Sequence, residues 1–340
     1  MSDYITVAID GMGGDNGALE MVKGAVNAVN EHDNVKVIIC GDEETINTEL
    51  AKYEYADYKI EVVPTTEEVE VDASPVMEIR QKKDSSMVVA MKLVKEGRAS
   101  GFVSAGSSGA ILVGGQLLVG RMKGVQRAPL APLVPNTEGI SLLIDAGANM
   151  DAKPEHLVQY AQMGSIYMEK IVGIKNPRVG IVNVGVEEHK GNKLVKETFP
   201  LLKELDDINF IGSVEPRDVP HGACDVIVCD AFVGNALLKV QEGLASALVH
   251  MIKDSIMKST RTKIGGALVK PAIKDVMKLF DTSEYGGAPL LGLDGLVVKI
   301  HGNATHKEMK NAILQCVDFT EKKVNDQIRE SIQKTVNKDK

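Results

Sequence analysis

Short apolar runs that end in glycine or aspartate recur along this chain, and they constrain its fold more than any other feature. They include YITVAIDG, VKVIICGD, ASGFVSAG, ISLLIDAG, RVGIVNVG, CDVIVCD and GLVVKIHGN. Longer segments with helical periodicity, such as ALEMVKGAVNAVNEH and SSMVVAMKLVKEG, lie between many of them. Strands that alternate with helices predict an α/β fold with a largely parallel sheet. We expect one α/β domain over residues 1–330 and a polar tail over 331–340.

Polar and glycine-rich motifs follow most of these strands. They are DGMGGD, SAGSSGA, DAGAN, NVGVEEHKGN, DAFVGN and HGN. Ligands of parallel α/β sheets bind at the carboxyl ends of the strands, so the motifs predict a site at that edge. The residues that we expect to position a substrate there are Asp10, Gly14, Asp15, Asn149, Asn183, Glu187 and Asp230.

The motif SAGSSGA at 104–110 has two interpretations. Small residues at the start of a helix can bind phosphate through backbone N–H groups, which would assign this role to Gly106, Ser107, Ser108 and Gly109. The same motif also resembles a nucleophile elbow. In that case Ser107, Asp230 and His301 would follow the chain order Ser, Asp, His of α/β-hydrolases.

Lys190 lies in a second glycine-rich loop, where a lysine can bind a phosphate or a developing oxyanion as a point charge. A solvated charged turn is the alternative. Zinc is a poor fit, because Glu187, Glu188 and His189 are contiguous and no second histidine has helical spacing. The chain also lacks a P-loop and a complete dinucleotide fingerprint. These observations argue against a zinc site, a P-loop nucleotide site and a dinucleotide site.

The overall charge of −8 argues against a nucleic-acid binder. The four cysteines have no metal-binding spacing, and Cys40 and Cys229 lie in or beside apolar runs, which predicts buried reduced thiols and a cytoplasmic protein. No signal peptide and no apolar stretch of membrane-spanning length are visible. We expect a soluble protein, or one bound at the inner membrane surface.

Residues 240–280 break the strand–helix rhythm and predict a protruding hairpin of two helices. Gly265, Gly266 and Pro271 place the turn near 264–271. This predicted tip is apolar and lies between lysine-rich helices, so Ile264, Ala267, Leu268 and Val269 are candidates for contact with an anionic bilayer. A dimerisation hairpin with solvated lysines is the alternative.

Taken together and in order, these motifs resemble those of the PlsX family, the acyl carrier protein:phosphate acyltransferases of bacterial phospholipid synthesis. DGMGGD, DAGAN, NVGVEEHKGN, CDVIVCDAFVGN and YGGAPLLGLDGLVVKIHG carry the resemblance over roughly residues 5–320. Two departures stand out: Gly11 replaces the usual alanine, and Ser107-Ser108 replaces a common Asn-Thr pair.

The resemblance implies that phosphate attacks the thioester of a long-chain acyl carrier protein, giving acyl phosphate and a free carrier thiol. It also implies a homodimer without metal or nicotinamide, and a Rossmann-like three-layer fold related to isopropylmalate dehydrogenases and phosphotransacetylases. The product would supply a membrane glycerol-3-phosphate acyltransferase.

On this interpretation the loop 106–109 and Lys190 bind phosphate, while Asn235 and His301 contact the thioester carbonyl or the leaving sulfur. A serine-nucleophile hydrolase or transferase, and a non-catalytic binding module for acyl carrier protein, remain the alternatives. Acyl carrier protein is acidic, so basic surfaces are its candidate docking sites: Arg80, Lys82 and Lys83; Arg121, Lys123 and Arg127; and the hairpin lysines.

Overall fold

The apolar runs form the β-strands of a computed structural model that describes residues 4–70, 72–279 and 282–338. The strands are β1 (Ile5–Asp10), β2 (Val35–Gly41), β3 (Ile60–Pro64), β4 (Gly101–Ser104), β5 (Leu133–Asn136), β6 (Gly139–Ile144), β7 (Arg178–Val182), β8 (Asn209–Val214), β9 (Val226–Val228), β10 (Ala288–Leu290) and β11 (Leu296–Lys299). The predicted runs correspond to these strands, except that the sequence did not reveal β5 and β10.

Helices occupy most of the segments between the strands. They are α1 (Gly17–Glu31), α2 (Glu43–Leu50), α3 (Pro75–Gln81), α4 (Ser86–Lys95), α5 (Ser108–Gly114), α6 (Pro154–Tyr167), α7 (Lys193–Lys203), α8 (Ala231–Met257), α9 (Thr260–Leu279), α10 (His306–Glu321) and α11 (Val324–Lys338). Helix α1 shows why they form: Ala18, Met21, Val22, Ala25 and Val29 repeat at helical spacing and are all buried. Residues 331–338 of the predicted polar tail continue α11.

The first sheet has the strand order β10-β11-β4-β1-β2-β3, and every neighbouring pair is parallel except β10 with β11. Side chains alternate between its faces, so that Val7 and Ile9 belong to one buried cluster and Ala8 to another. Helices α1 and α10 contribute to the first cluster, and α4 and α5 contribute to the second. The sheet is therefore the middle layer of three.

The second sheet has the order β5-β6-β9-β7-β8, with β5 and β6 antiparallel and the other pairs parallel. Helices α6 and α7 pack on one face, and Leu237 and Leu238 of α8 pack on the other. The predicted α/β fold with mostly parallel strands is confirmed, and its strands are divided between two sheets.

Residues 129–132 join the edges of the two sheets. Ala131 N donates to Pro289 O at 2.9 Å beside β10, and Leu143 N of β6 donates to Pro132 O at 2.9 Å. Ala146 N also donates to Leu130 O at 2.9 Å. The carboxyl ends of strands from both sheets are thereby held on either side of one short segment.

The predicted helical hairpin is present, but its turn lies elsewhere. Helix α8 ends at Met257 and α9 begins at Thr260, so the turn is at 258–259, and 264–271 lies inside α9. The prediction of an apolar tip at Ile264, Ala267, Leu268 and Val269 is wrong in its geometry. These residues instead occupy the exposed surface of a continuous helix.

Candidate active site

Asp10 fixes the glycine-rich loops at the carboxyl end of β1 and β4. Its carboxylate is 2% exposed and accepts hydrogen bonds from Ser86 Oγ at 2.6 Å and Ser104 Oγ at 2.7 Å. Ser104 Oγ accepts in turn from Gly106 N at 2.9 Å. A side chain at Gly13 would lie only 2.6 Å from Asp10 Oδ2, which explains why glycine is needed there. Asp10 thus sets the shape of the loop that begins at Gly106.

A third loop, 301–303, meets these two. Asp15 N donates to Gly302 O at 2.6 Å, and a side chain at Gly14, whose φ is 89°, would meet that same carbonyl oxygen. Asn16, rather than Asp15, occupies the N-cap position of α1. In this structure Asp10, Gly14 and Asp15 hold the three loops together, and their role in positioning a substrate stays a prediction.

The loop 106–109 presents unbonded donors. Ser107 is buried and precedes the first residue of α5, while Ser108 is exposed. Within the part of the chain that the structure describes, the Ser107 hydroxyl forms no hydrogen bond, and neither do the N–H groups of Ser108, Gly109 and Ala110. Three N–H groups and one hydroxyl are thus free to bind an anion at this strand end.

Asp145 performs the corresponding role in the second sheet. It is completely buried and accepts from Leu130 N at 3.1 Å and from Asn149 N and Nδ2 at 2.9 and 2.8 Å. Burial raises the pKa of this carboxyl, and the hydrogen bonds from Ala148, Asn149 and Leu130 act against that rise. Asn149 also donates to Ala128 O at 2.9 Å, so it ties its loop to the segment that joins the sheets.

Helix α8 begins beside this loop. Asp230 caps it by accepting from Phe232 N at 3.0 Å and Val233 N at 3.1 Å, and Ala231 N donates to Asn149 O at 3.3 Å. Asn235, on the first turn, lies against Gly147. The structure therefore brings Asn149, Asp230 and Asn235 together.

The loop 183–192 is closed by its own side chains. Asn183 Nδ2 donates to Lys190 O at 3.2 Å and to Ser213 Oγ at 3.1 Å. Lys190 Nζ lies 2.8 Å from Glu187 Oε2, and the hydrogen bond from Lys190 lowers the pKa of Glu187. Among the described residues no hydrogen bond links Lys190 to the loop 106–109. Lys190 is thus an ion-paired surface residue in this structure.

His301 lies at the edge of a cavity of about 470 Å³ that is bounded by α8, β5 and the approach to β10. Its imidazole is exposed and forms no hydrogen bond in the described structure, while its backbone N donates to Glu308 Oε1 at 3.0 Å. Lys299 lines the same cavity, two residues earlier. Sequence reasoning missed Lys299, although it lies within the strand run that led to His301.

Two kinds of feature are absent from the described residues. No helix within them is both long and apolar enough to cross a bilayer. In that same part of the chain, no three His, Cys, Asp or Glu side chains are grouped as metal ligands.

Known proteins provide an independent comparison. The profile of a family described as "Fatty acid synthesis protein" matches residues 5–327. The chain is 49% identical over 326 residues to a phosphate acyltransferase of Clostridium botulinum, covering 96% of this chain and 97% of that protein. It is 48% identical over 333 residues to a phosphate acyltransferase of Clostridium kluyveri, covering 98% and 99%.

Solved structures share the fold at low sequence identity. The EutD phosphotransacetylase of Staphylococcus aureus superposes with a TM-score of 0.61 at 17% identity, covering 93% of this chain and 95% of that one. A phosphotransacetylase of Streptococcus pyogenes gives 0.60 at 18% identity, covering 94% of each chain. These values confirm the predicted likeness to the phosphotransacetylase fold.

Proposed function

This chain belongs to the PlsX family of phosphate acyltransferases, and from that membership we propose that it transfers a long-chain acyl group from acyl carrier protein to inorganic phosphate. The observation that carries the proposal is the family match over nearly the whole chain. The product, an acyl phosphate, would supply a membrane glycerol-3-phosphate acyltransferase in phospholipid synthesis.

The unbonded donors of the loop 106–109 support phosphate binding there. Phosphate is anionic at neutral pH and can attack the thioester carbon directly, so the protein must mainly orient it and stabilise the oxyanion. The new bond joins a phosphate oxygen to the acyl carbon, the carbon–sulfur bond breaks, and the thiolate takes up the proton that hydrogen phosphate releases on becoming the acyl phosphate. We propose that bound phosphate competes with Glu187 for Lys190, and that Asn235 and His301 contact the carbonyl or the departing sulfur.

Two hydrogen-bonding patterns weigh against the serine-nucleophile alternative. Within the described residues, no hydrogen bond joins Ser107 to His301 or His301 to Asp230. The Asp230 carboxylate is used instead to cap α8. A triad needs the acid to orient the histidine and the histidine to contact the serine.

Incubation with palmitoyl-acyl carrier protein and phosphate tests the function, with acyl phosphate and free carrier thiol as readouts. We expect both to form in equal amounts and to depend on phosphate. Release of free palmitate, with labelling of Ser107 by a fluorophosphonate, would favour the serine enzyme. Carrier binding without any product would favour the binding module.

The Ser107→Ala and Ser108→Ala variants test the phosphate loop. We expect each to raise the KM for phosphate several-fold and to retain activity, because the backbone donors remain. Complete loss of activity in folded Ser107→Ala would contradict this role.

A basic surface near the N-terminus of α6 is our preferred docking site for acyl carrier protein. Arg121, Arg127 and Lys153 lie close enough to His156 to contribute to the lowering of its pKa, after burial, which is the main cause. Lys123 lies in the same segment, and among the described residues none of these four cations is in an ion pair. Lys82, in another candidate patch, is instead held by Glu78 at 3.0 Å.

Salt and charge reversal test this docking. We expect added salt and Arg127→Glu each to raise the KM for acyl carrier protein while the KM for phosphate changes little. Lys82→Glu is the matched control. An equal effect of the two substitutions would argue against a localised docking surface.

A further inference from the structure

The cavity beside His301 has a largely apolar wall. Leu130 and residues 132–135 line it, together with the apolar Leu238, Ala245 and Val249 and the polar Lys239, Gln241, Glu242, Ser246 and His250 of α8. Its volume of about 470 Å³ lies within the usual range of about 300–1,000 Å³ for small-molecule sites. A hydrophobic ligand would therefore fit it.

The length of the cavity identifies the class of ligand. Its lining on α8 runs from Leu238 to His250, which corresponds to about 18 Å at the rise of an α-helix. One leaflet of a bilayer's hydrocarbon core, which fatty acyl chains fill, is about 15 Å thick. The cavity thus matches an extended long acyl chain better than a short acid.

Lys299 places the polar end of the cavity next to the phosphate loop. In the sheet it is the partner of Ser104, and Ile300 N donates to Ser104 O at 3.0 Å. Neighbouring strands lie about 4.8 Å apart, and paired residues of parallel strands point to the same face. The Lys299 side chain therefore lies on the same face of the sheet as Ser104, at the carboxyl end of β4, which leads into Gly106.

The Lys299 ammonium forms no hydrogen bond or ion pair within the described chain. The Glu242 and Glu308 carboxylates line the same cavity, and Glu242 is bonded to Lys239 at 2.8 Å. Burial lowers the pKa of Lys299, Lys239 adds to this effect, and Glu242 and Glu308 oppose it. A half-buried ammonium without a partner is unfavourable, so an anion at this position would stabilise it.

We propose that this cavity holds the acyl chain of the substrate, and that Lys299 binds the phosphoryl oxygens of phosphate and of the acyl phosphate product. The inference rests on the proposed function and adds its acyl subsite. The chain enters past Lys299 and His301 and runs along α8 towards His250. Phosphate is then held between Lys299 and the donors of the loop 106–109.

Filling the cavity tests the acyl subsite. In Ala245→Phe, we expect the ratio of kcat/KM for palmitoyl to octanoyl carrier protein to fall by about tenfold or more, because a long chain meets the ring and a short one does not. Ala247→Phe, on the opposite face of α8, is the matched control and should leave the ratio unchanged. Activity on octanoyl carrier protein reports that each variant is folded.

Removing the ammonium tests the anion site. We expect Lys299→Met to raise the KM for phosphate by about 10- to 100-fold, as loss of a charge-assisted contact would. Lys299→Arg should recover part of the affinity. Lys170→Met, which removes a cation paired with Glu169 at 2.8 Å outside the cavity lining, should change this KM less than twofold.

The outcomes separate this inference from the function it rests on. If the wild-type protein makes no acyl phosphate from any carrier thioester, the proposed function fails. If it makes acyl phosphate but Ala245→Phe leaves the chain-length ratio unchanged, the cavity is not the acyl subsite. An unchanged KM for phosphate in Lys299→Met overturns the role of Lys299.

Discussion

At the residue scale, Asp10 and Asp145 are buried carboxylates that collect hydrogen-bond donors at strand ends. Groups without a hydrogen bond among the described residues lie next to each of them: the donors of 106–109 beside Asp10, and the Asn235 side chain of α8 beside the loop of Asp145. A buried carboxylate that already accepts several hydrogen bonds is held in place by them. We therefore assign loop positioning to Asp10 and Asp145.

Replacing Asp10 should destabilise the protein. In Asp10→Ala the Ser86 and Ser104 hydroxyls lose a charged acceptor inside the protein, and we expect the free energy of unfolding to fall by about 2–4 kcal/mol in urea denaturation. Asp42→Ala, which removes an exposed helix cap, should cost only about 1 kcal/mol. Equal losses would show that Asp10 contributes no more than a surface cap.

The cysteines should be unreactive in the native protein. All four are buried and free, and burial raises the pKa of Cys40 and Cys224 to about 12. Alkylation requires the thiolate, so we expect iodoacetamide at pH 8 to label the native protein very slowly and all four thiols once urea unfolds it. Rapid labelling of one native cysteine would locate an opening motion beside it.

Single site residues could be predicted where they belong to a recognisable motif. Lys299 belongs to no such motif and was not predicted. The sequence placed Asp10, Asp15, Asn149 and Asp230 at strand ends, where the structure has them. Lys299 is the last residue of β11, and a lysine at the end of an apolar run is typical of an exposed strand end. Its significance comes from the pairing of β11 with β4, which are almost 200 residues apart in the chain. No local sequence signal indicates that these two strands are neighbours in the sheet.

At the element scale, the ordinary strands and helices were predictable because each carries its own periodicity. Strands β5 and β10 were missed because they have 4 and 3 residues and each contains a proline. Both are antiparallel edge strands, and both lie where residues 129–132 join the sheets. The cavity is built on these two elements, so its position could not be read from the sequence.

The turn of the hairpin had a sequence signal that the glycines obscured. Ser259 N donates to Thr262 Oγ1 and Thr262 N donates to Ser259 Oγ, both at 3.1 Å, which is a reciprocal cap at the start of α9. Gly266 lies inside the helix and does not break it. A side chain at this position would overlap Ile256 of α8. The glycine instead permits close packing of α8 against α9.

Two glycines of α8 allow a matched test of how closely this helix packs against the loop of Asp145. A methyl group at Gly234 would overlap the carbonyl oxygen of Asp145, whereas the space around Gly243 is open. We expect Gly234→Ala to lower the free energy of unfolding by about 3 kcal/mol, as overpacking does. Gly243→Ala should raise it by up to about 1 kcal/mol through helix propensity.

Activity distinguishes the two glycine variants further. Displacement of α8 by Gly234→Ala should move the wall of the cavity, so the kcat/KM for palmitoyl carrier protein should fall. The stability measurement is thermal and urea unfolding of both variants. If Gly234→Ala were as stable as Gly243→Ala, the contact between α8 and Asp145 would not be tight in solution.

At the scale of the whole molecule, the hairpin carries a row of exposed apolar side chains. Val240, Leu244, Leu248 and Met251 form a stripe along α8, away from the cavity, and are between 47% and 67% exposed. Apolar patches of this kind mark surfaces that are covered in the functional state. We propose that a second copy of the chain covers the stripe in a homodimer.

The turn end of the hairpin has a different character. Met257 and Ile264 are exposed there, close to Lys258, Arg261 and Lys263. Apolar residues among lysines and arginines suit the surface of an anionic bilayer. Leu244 lies 14 residues from Lys258, about 20 Å along the helix, so the stripe and the turn end can be altered separately.

Charge substitutions at the two places should therefore have different effects. We expect Leu244→Glu to convert a dimer into a monomer in sedimentation velocity, because a carboxylate would be buried in an apolar interface. Ile264→Glu should leave the dimer intact and weaken flotation with phosphatidylglycerol vesicles. Each variant is the control for the other. A wild-type monomer whose vesicle binding is lost in Leu244→Glu would mean that the stripe itself contacts the bilayer.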